Sequence, residues 1–145
     1  PHDDLQFALL RAGFWQQQSD FARTIPPLRQ YLAHYPQDHA AWMALATCHI
    51  RLKQLAEAGE IFVRLETAGE SSPVLYADHG ALLLEQGEWA RAKQLLDRAL
   101  AMRPDMAPAL HNRQLVSRQL GEPEYVAPVV RAADDTGALR LYAQP

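Results

Sequence analysis

Five apolar positions recur at one fixed interval along this chain. Tyr76 stands 34 residues after Trp42, Gly80 after Ala46, Ala92 after Ala58, Leu96 after Phe62, and Ala99 after Leu65. A period of that length, carried by small and large apolar residues, marks a solenoid of helix–turn–helix units. Each unit has an apolar face that only a neighbouring unit can cover. Such arrays usually bind other molecules and rarely catalyse, so the class of function is constrained along with the fold.

Within a unit the apolar spacing is helical. Trp42, Leu45, Ala46 and His49 fall at i, i+3, i+4 and i+7 on one face. Four units fit the frame, covering about 4–37, 38–71, 72–105 and 106–136, with a short cap after them. The whole of 1–145 then reads as a single all-α domain. Asp38 is placed to cap one front helix, and Ser72 another, with Pro73 as its first residue. The turn near Lys53–Gln54 leads into a back helix carrying Ala58, Ile61, Phe62 and Leu65. Gln86, Gly87 and Glu88 form the equivalent turn, with Gly87 free to take a positive φ. Gly121 falls 34 residues after Gly87, and Pro104 falls 68 after Pro36.

The end units depart from this regularity. Pro26 and Pro27 sit where the first back helix should be, and a helix-interior proline costs about 3 kcal/mol. This predicts that the helix starts late, with Thr24 as its cap. Pro128 stands at the equivalent place in the fourth unit. The tail at 134–144 reads as a short final helix packing Leu139, Leu141 or Tyr142.

Composition excludes several functions. Of 145 residues, 48% are hydrophobic and 21% charged, and the net charge is −3. A disordered chain is not expected, and the basic footprint that nucleic acid requires is missing. The single cysteine, Cys48, leaves no internal disulfide and no cysteine-rich zinc site. That suits either the cytoplasm or the periplasm. No apolar run approaches the roughly 18 residues of a membrane helix. The chain begins at Pro1, which suggests a domain cut from a larger protein or a processed product.

The second and third units resemble the tetratricopeptide repeat family, whose signature is Trp-x2-Leu-Gly-x2-Tyr, then Ala-x3-Phe, then Ala and Pro. The second unit offers Trp42, Leu45, Ala46, His49, Ala58, Phe62 and Leu65. The third offers Tyr76, His79, Gly80, Leu83, Ala92, Leu96, Ala99 and Pro104. His49 departs from the signature tyrosine, His79 from the leucine, and Leu65 from the second alanine. The resemblance implies a superhelix with a concave groove lined by front helices. Its groove slots fall on Leu9 and Gly13, on Met43, Thr47 and Ile50, on Ala77, Ala81 and Leu84, and on His111, Leu115 and Arg118. Family members that clamp a terminal carboxylate place Lys, Asn and Arg in these slots. Leu9, Gly13, Ala77 and Ala81 stand there instead, so an amphipathic helix or an extended apolar segment is the expected ligand.

Other chemistry is weakly signalled. His34 and His39 are five apart across a proline, and no carboxylate or further cysteine completes a ligand set around His49 or His79. Hydrogen-bonded structural histidines are expected, with no metal and no cofactor. Cys48 and His49 are adjacent on a helix and cannot form a catalytic pair. No phosphate loop or Gly-x-Ser-x-Gly elbow occurs. Trp15 occupies an aromatic core slot. Arg91, Lys93, Arg98 and Arg103, interleaved with Glu88 and Asp97, read as a solvated face.

These readings predict a non-enzymatic module that binds a protein or peptide partner, without nucleic acid or direct membrane insertion. The repeat pattern is also similar to that of bacterial secretion chaperones and envelope-assembly proteins, which implies a role of that kind. The alternative is a regulatory or targeting domain of a larger enzyme or outer-membrane export protein. Self-association into a homo-oligomer is a third possibility.

Overall fold

A computed structural model describes residues 2–127, 129–130 and 141–142, with side chains described over 4–127. The chain divides into two compact packing units, Pro1–Glu70 and Ser71–Pro145. The division falls within a residue of the boundary between the second and third repeats.

The first unit contains α1 (His2–Gln17), α2 (Phe21–His34), α3 (His39–Arg51) and α4 (Leu55–Thr67). The second contains α5 (Pro73–Glu85), α6 (Trp89–Met102) and α7 (Ala107–Leu120), followed by β1 (Val129–Val130) and β2 (Leu141–Tyr142). The regular structure from His2 to Leu120 is all helical, and the helices pair as α1 with α2, α3 with α4, and α5 with α6.

The caps fall where the residue types require. The carboxylate of Asp38 accepts from the Ala41 amide at 3.1 Å, and the Ser72 hydroxyl accepts from the Leu75 amide at 3.1 Å. Pro73 opens α5, where its missing N–H is no loss. Gly87 and Gly121 take positive φ, at 74° and 67°. Two further residues complete this series at the same interval: Ser19 at 56° and Lys53 at 60°. The left-handed step therefore recurs every repeat, twice on residues that carry a Cβ. The amide just after each step reaches back across five residues, from Asp20 to Trp15, Gln54 to His49, Glu88 to Leu83 and Glu122 to Ser117. These bonds satisfy carbonyls that the ending helix would otherwise leave unpaired.

In the first unit Leu28, Leu32, Leu45, Ala46, Cys48, Ala58, Ile61, Phe62 and Leu65 are buried. The second unit buries Leu83, Leu95, Leu96, Leu100 and Val116 around Ala92, Ala99 and Ala109. Gly80 marks the tightest approach: a Cβ built there would lie 2.8 Å from Leu96 Cγ. This accounts for a small residue at the signature position.

Two expectations are corrected. Helix α2 does not start late at Thr24. Asp20 caps it, accepting from the Arg23 amide at 3.1 Å, and Thr24 is buried with its hydroxyl donating to the Asp20 carbonyl at 2.8 Å. Pro26 and Pro27 lie inside the helix. The carbonyls they leave without a helical donor belong to Ala22 and Arg23, both exposed residues, where the lost bonds cost less than in the core. At the other end, Glu122 begins no fourth back helix. The chain runs on without regular structure through 127, and β1 pairs antiparallel with β2, Val129 opposite Tyr142 and Val130 opposite Leu141. Leu141 and Tyr142 are thus extended rather than helical. Leu139 and the rest of the expected tail helix lie outside the described residues.

Candidate functional site

The slot residues of the first unit sit on α1 and α3. Leu9 and Gly13 are exposed, and Leu9 lines a pocket of about 240 Å³ with Leu5, Gln6, Tyr31 and Tyr35. Met43 and Ile50 are half-buried, and Thr47 is exposed, its hydroxyl turned back onto the Met43 carbonyl at 3.0 Å. Tyr31, in the Leu9 pocket, donates its hydroxyl to Asp38 Oδ2 at 2.7 Å. That bond raises the tyrosine and, with the Ala41 amide, holds the Asp38 carboxyl below its usual range.

In the second unit the slots divide by burial. Ala77 is only 6% exposed and belongs to the core, so it offers little surface to a ligand. Ala81, Leu84 and Leu115 are half-buried, with Leu84 packed on that core; His111 and Arg118 are exposed. Sequence reasoning missed Asp78, which adjoins this strip of α5 three residues before Ala81. It is half-buried and makes no hydrogen bond or ion pair among the described residues. Desolvation pushes its carboxyl up from the ordinary aspartate value. No motif announces such a residue, because its burial comes from packing.

A larger hollow lies elsewhere in the first unit. Helices α2, α3 and α4 enclose a cleft of about 530 Å³. Leu32, Leu45 and Ile61 form its floor, His49 lines one end, and Trp42 with Arg64 closes the other. The Arg64 guanidinium lies 4.3 Å from the Trp42 ring centre. The same stack borders a smaller hollow of about 240 Å³ shared with Pro36, His39 and Leu65. The indole N–H of Trp42 donates to the Pro36 carbonyl at 3.0 Å, so this wall is anchored.

The residues singled out for other chemistry are in structural contacts. His49 is buried with Nδ1 at 2.7 Å from Gln54 Oε1, and His39 Nδ1 lies 2.5 Å from Glu70 Oε2. Buried Cys48 is desolvated, which raises its thiol above the usual value. Among the described residues no three His, Cys, Asp or Glu side chains are grouped so as to hold a metal. Trp15 is only half-buried, with Arg23 stacked 4.7 Å from its ring. Lys93 does not belong to a freely solvated face: it reaches Glu122 at 2.6 Å.

Two tetratricopeptide repeat models match the chain, over residues 16–77 and 78–122. With the helical pairs, the recurring turn and the small Gly80 position, these matches settle the class. The chain belongs to the tetratricopeptide repeat family. It is 29% identical over 83 residues to the mRNA 3'-end-processing protein RNA14 of Yarrowia lipolytica, which is 57% of this chain. The match spans only 10% of that relative's length. Among solved structures, the MamA protein superposes with a TM-score of 0.76 at 19% identity, covering 84% of this chain and 67% of that one. The first TPR of Spaghetti (RPAP3), bound to the HSP90 peptide SRMEEVD, gives 0.75 at 18% identity, covering 83% and 95%. At these identities the likeness is one of fold.

Proposed function

We propose that this chain is a non-enzymatic interaction module that binds an apolar segment of a partner protein through the front-helix slots. The observation that carries the reading is on α5 and α7. Ala81, Leu84 and Leu115 are half-buried, and Asp78, on the same helix as Ala81 and Leu84, is a desolvated carboxylate with no partner among the described residues. An isolated partly buried charge costs stability, and it is tolerated where a ligand supplies the missing donor. The ligand is then an amphipathic helix or an extended strand with apolar side chains on Ala81, Leu84 and Leu115 and a donor against Asp78. Met43, Thr47 and Ile50 on α3, and Leu9 on α1, offer comparable apolar slots within the first unit.

The peptide in the Spaghetti complex, SRMEEVD, has three acidic residues among its last four. Asp78 disfavours such an end, and no Lys or Arg occupies Leu9, Gly13, Ala77 or Ala81, so the ligand of this chain is of a different kind. A bacterial secretion or envelope-assembly setting, cytoplasmic or periplasmic, suits an apolar client. The second reading, a regulatory or targeting domain inside a larger protein, is favoured by the match to only a tenth of the RNA14 relative.

The test is affinity capture from the source lysate with wild type beside Leu84→Glu, the fold of each being checked by circular dichroism. A partner held by wild type and lost by folded Leu84→Glu supports the module and names the client. A partner held equally by both contradicts the slot assignment.

A further inference from the structure

We propose that the cleft enclosed by α2, α3 and α4 is a second docking surface, which takes an amphipathic helix of a partner protein with basic side chains along one flank of its apolar stripe. The inference uses none of the slot residues. It rests on the shape and charge of this hollow.

The floor is apolar and the rim is charged. Leu32, Leu45 and Ile61 form the bottom, while Arg29 stands on the α2 wall and Glu57 and Glu60 on the α4 wall. Arg29, Glu57 and Glu60 are exposed, and none makes an ion pair or hydrogen bond among the described residues. Among the described residues, the α4 wall therefore offers two unpaired carboxylates and the α2 wall one unpaired guanidinium. Arg64, also on α4, keeps its positive charge and lies stacked on the Trp42 ring, at the end of the cleft away from His49.

The volume has an origin in the sequence. His49 stands where the tetratricopeptide signature has tyrosine, and its ring, held by Gln54, fills less of the space. Lining residues on α3 run from Trp42 to His49. That is about 10 Å of helix, enough for two apolar side chains four residues apart on a docked helix. At about 530 Å³ the cleft lies within the range of sites that bury a ligand. A docked helix with lysine or arginine beside Glu57 and Glu60, and an acidic flank towards Arg29, meets both walls with opposite charge.

The probes are two designed helical peptides of about 14 residues with the same leucine stripe. One carries lysines on one flank and glutamates on the other; the second carries glutamates on both. Isothermal titration of wild type should show saturable binding of the lysine-flanked peptide, about tenfold tighter than the all-acidic one. The surface variant Glu57→Lys/Glu60→Lys should invert that ranking. His49→Tyr, which restores the signature residue, should weaken both peptides by filling the hollow. Equal affinity for the two peptides overturns the proposal. So does a ranking unchanged in the charge variant, binding unaffected by His49→Tyr, or no saturable binding of the lysine-flanked peptide by about 1 mM.

Discussion

Gln114 and Tyr125 are joined by two hydrogen bonds that copy a backbone bridge. The side-chain amide of Gln114 donates to the Tyr125 carbonyl, and the Tyr125 amide donates back to Gln114 Oε1 at 3.0 Å. The pair fixes the chain where a fourth back helix would otherwise begin. Arg113 supports it from the next position. Buried at 6% exposure, it donates to Asp97 and to Ser117 at 2.7 Å and lies 4.8 Å from the Tyr125 ring.

Removing the amide tests this bridge. Gln114→Ala leaves the Tyr125 N–H and C=O without their partner, at a cost of about 1–2 kcal/mol. Urea denaturation should show that loss, and the Tyr125 amide should lose protection in hydrogen exchange while the α5–α6 core keeps its own. Unchanged protection at Tyr125 would mean that the bridge does not hold the segment.

The approach at Gly80 predicts a sign opposite to helix propensity. Alanine is favoured over glycine in a helix by about 1 kcal/mol. Its Cβ would meet Leu96 Cγ at 2.8 Å, and overpacking a core costs about 1–3 kcal/mol. Gly80→Ala should therefore lower stability on balance. Leu96→Ala should cost less in the Gly80→Ala background than in wild type, since it removes the clash. Additive effects would show that the two do not meet.

Glu122 gives stability a defined pH dependence. The Lys93 hydrogen bond, with the charges of Lys93 and Arg113, holds its carboxyl below the ordinary 4.5. The unfolded chain therefore takes the proton first as pH falls. This contribution is present above about pH 4.5 and is lost as pH falls from there through the folded value. Glu122→Gln should flatten that part of a stability–pH curve, and an unaltered slope would contradict the pairing.

Asp78 runs the other way. Its folded carboxyl is raised from 3.8, so the folded chain takes the proton first. Stability from this group is gained as pH falls through the folded value and is lost as pH rises through it. Asp78→Asn should be more stable than wild type at neutral pH, with the difference vanishing below about pH 3.8. A destabilised variant would mean that the carboxylate has a partner that supports the fold.

Much of the fold follows local rules and is legible in the residues. The 34-residue spacing, the Asp38 and Ser72 caps, Pro73 and the Gly87 turn each depend on a few neighbouring side chains. What was not legible depends on packing. The left-handed steps at Ser19 and Lys53 carry no glycine, so only the repeat register could have located them. The displaced start of α2 hid because Thr24 and Asp20 are both capping types, and the prolines after Thr24 drew the start towards it, whereas the Asp20 carboxylate makes the capping bond and Thr24 is buried. The irregular run after Glu122 is held by Gln114, eleven residues upstream of Tyr125, and a short-range pattern does not contain that contact. Of the candidate site, the slot residues came from family register, whereas Asp78 and the α2–α3–α4 cleft arise from side chains brought together by the fold.

The central claim is that the half-buried apolar slots of α5 and α7 bind a partner segment. Its most direct test is titration of that segment into isotope-labelled protein, with amide shifts mapped residue by residue. The account predicts the largest shifts around Asp78, Ala81, Leu84 and Leu115, and affinity reduced by at least about tenfold in a folded Leu115→Glu variant, the loss expected for a buried interface contact. Shifts that avoid these residues, with affinity unchanged in Leu115→Glu, would contradict it.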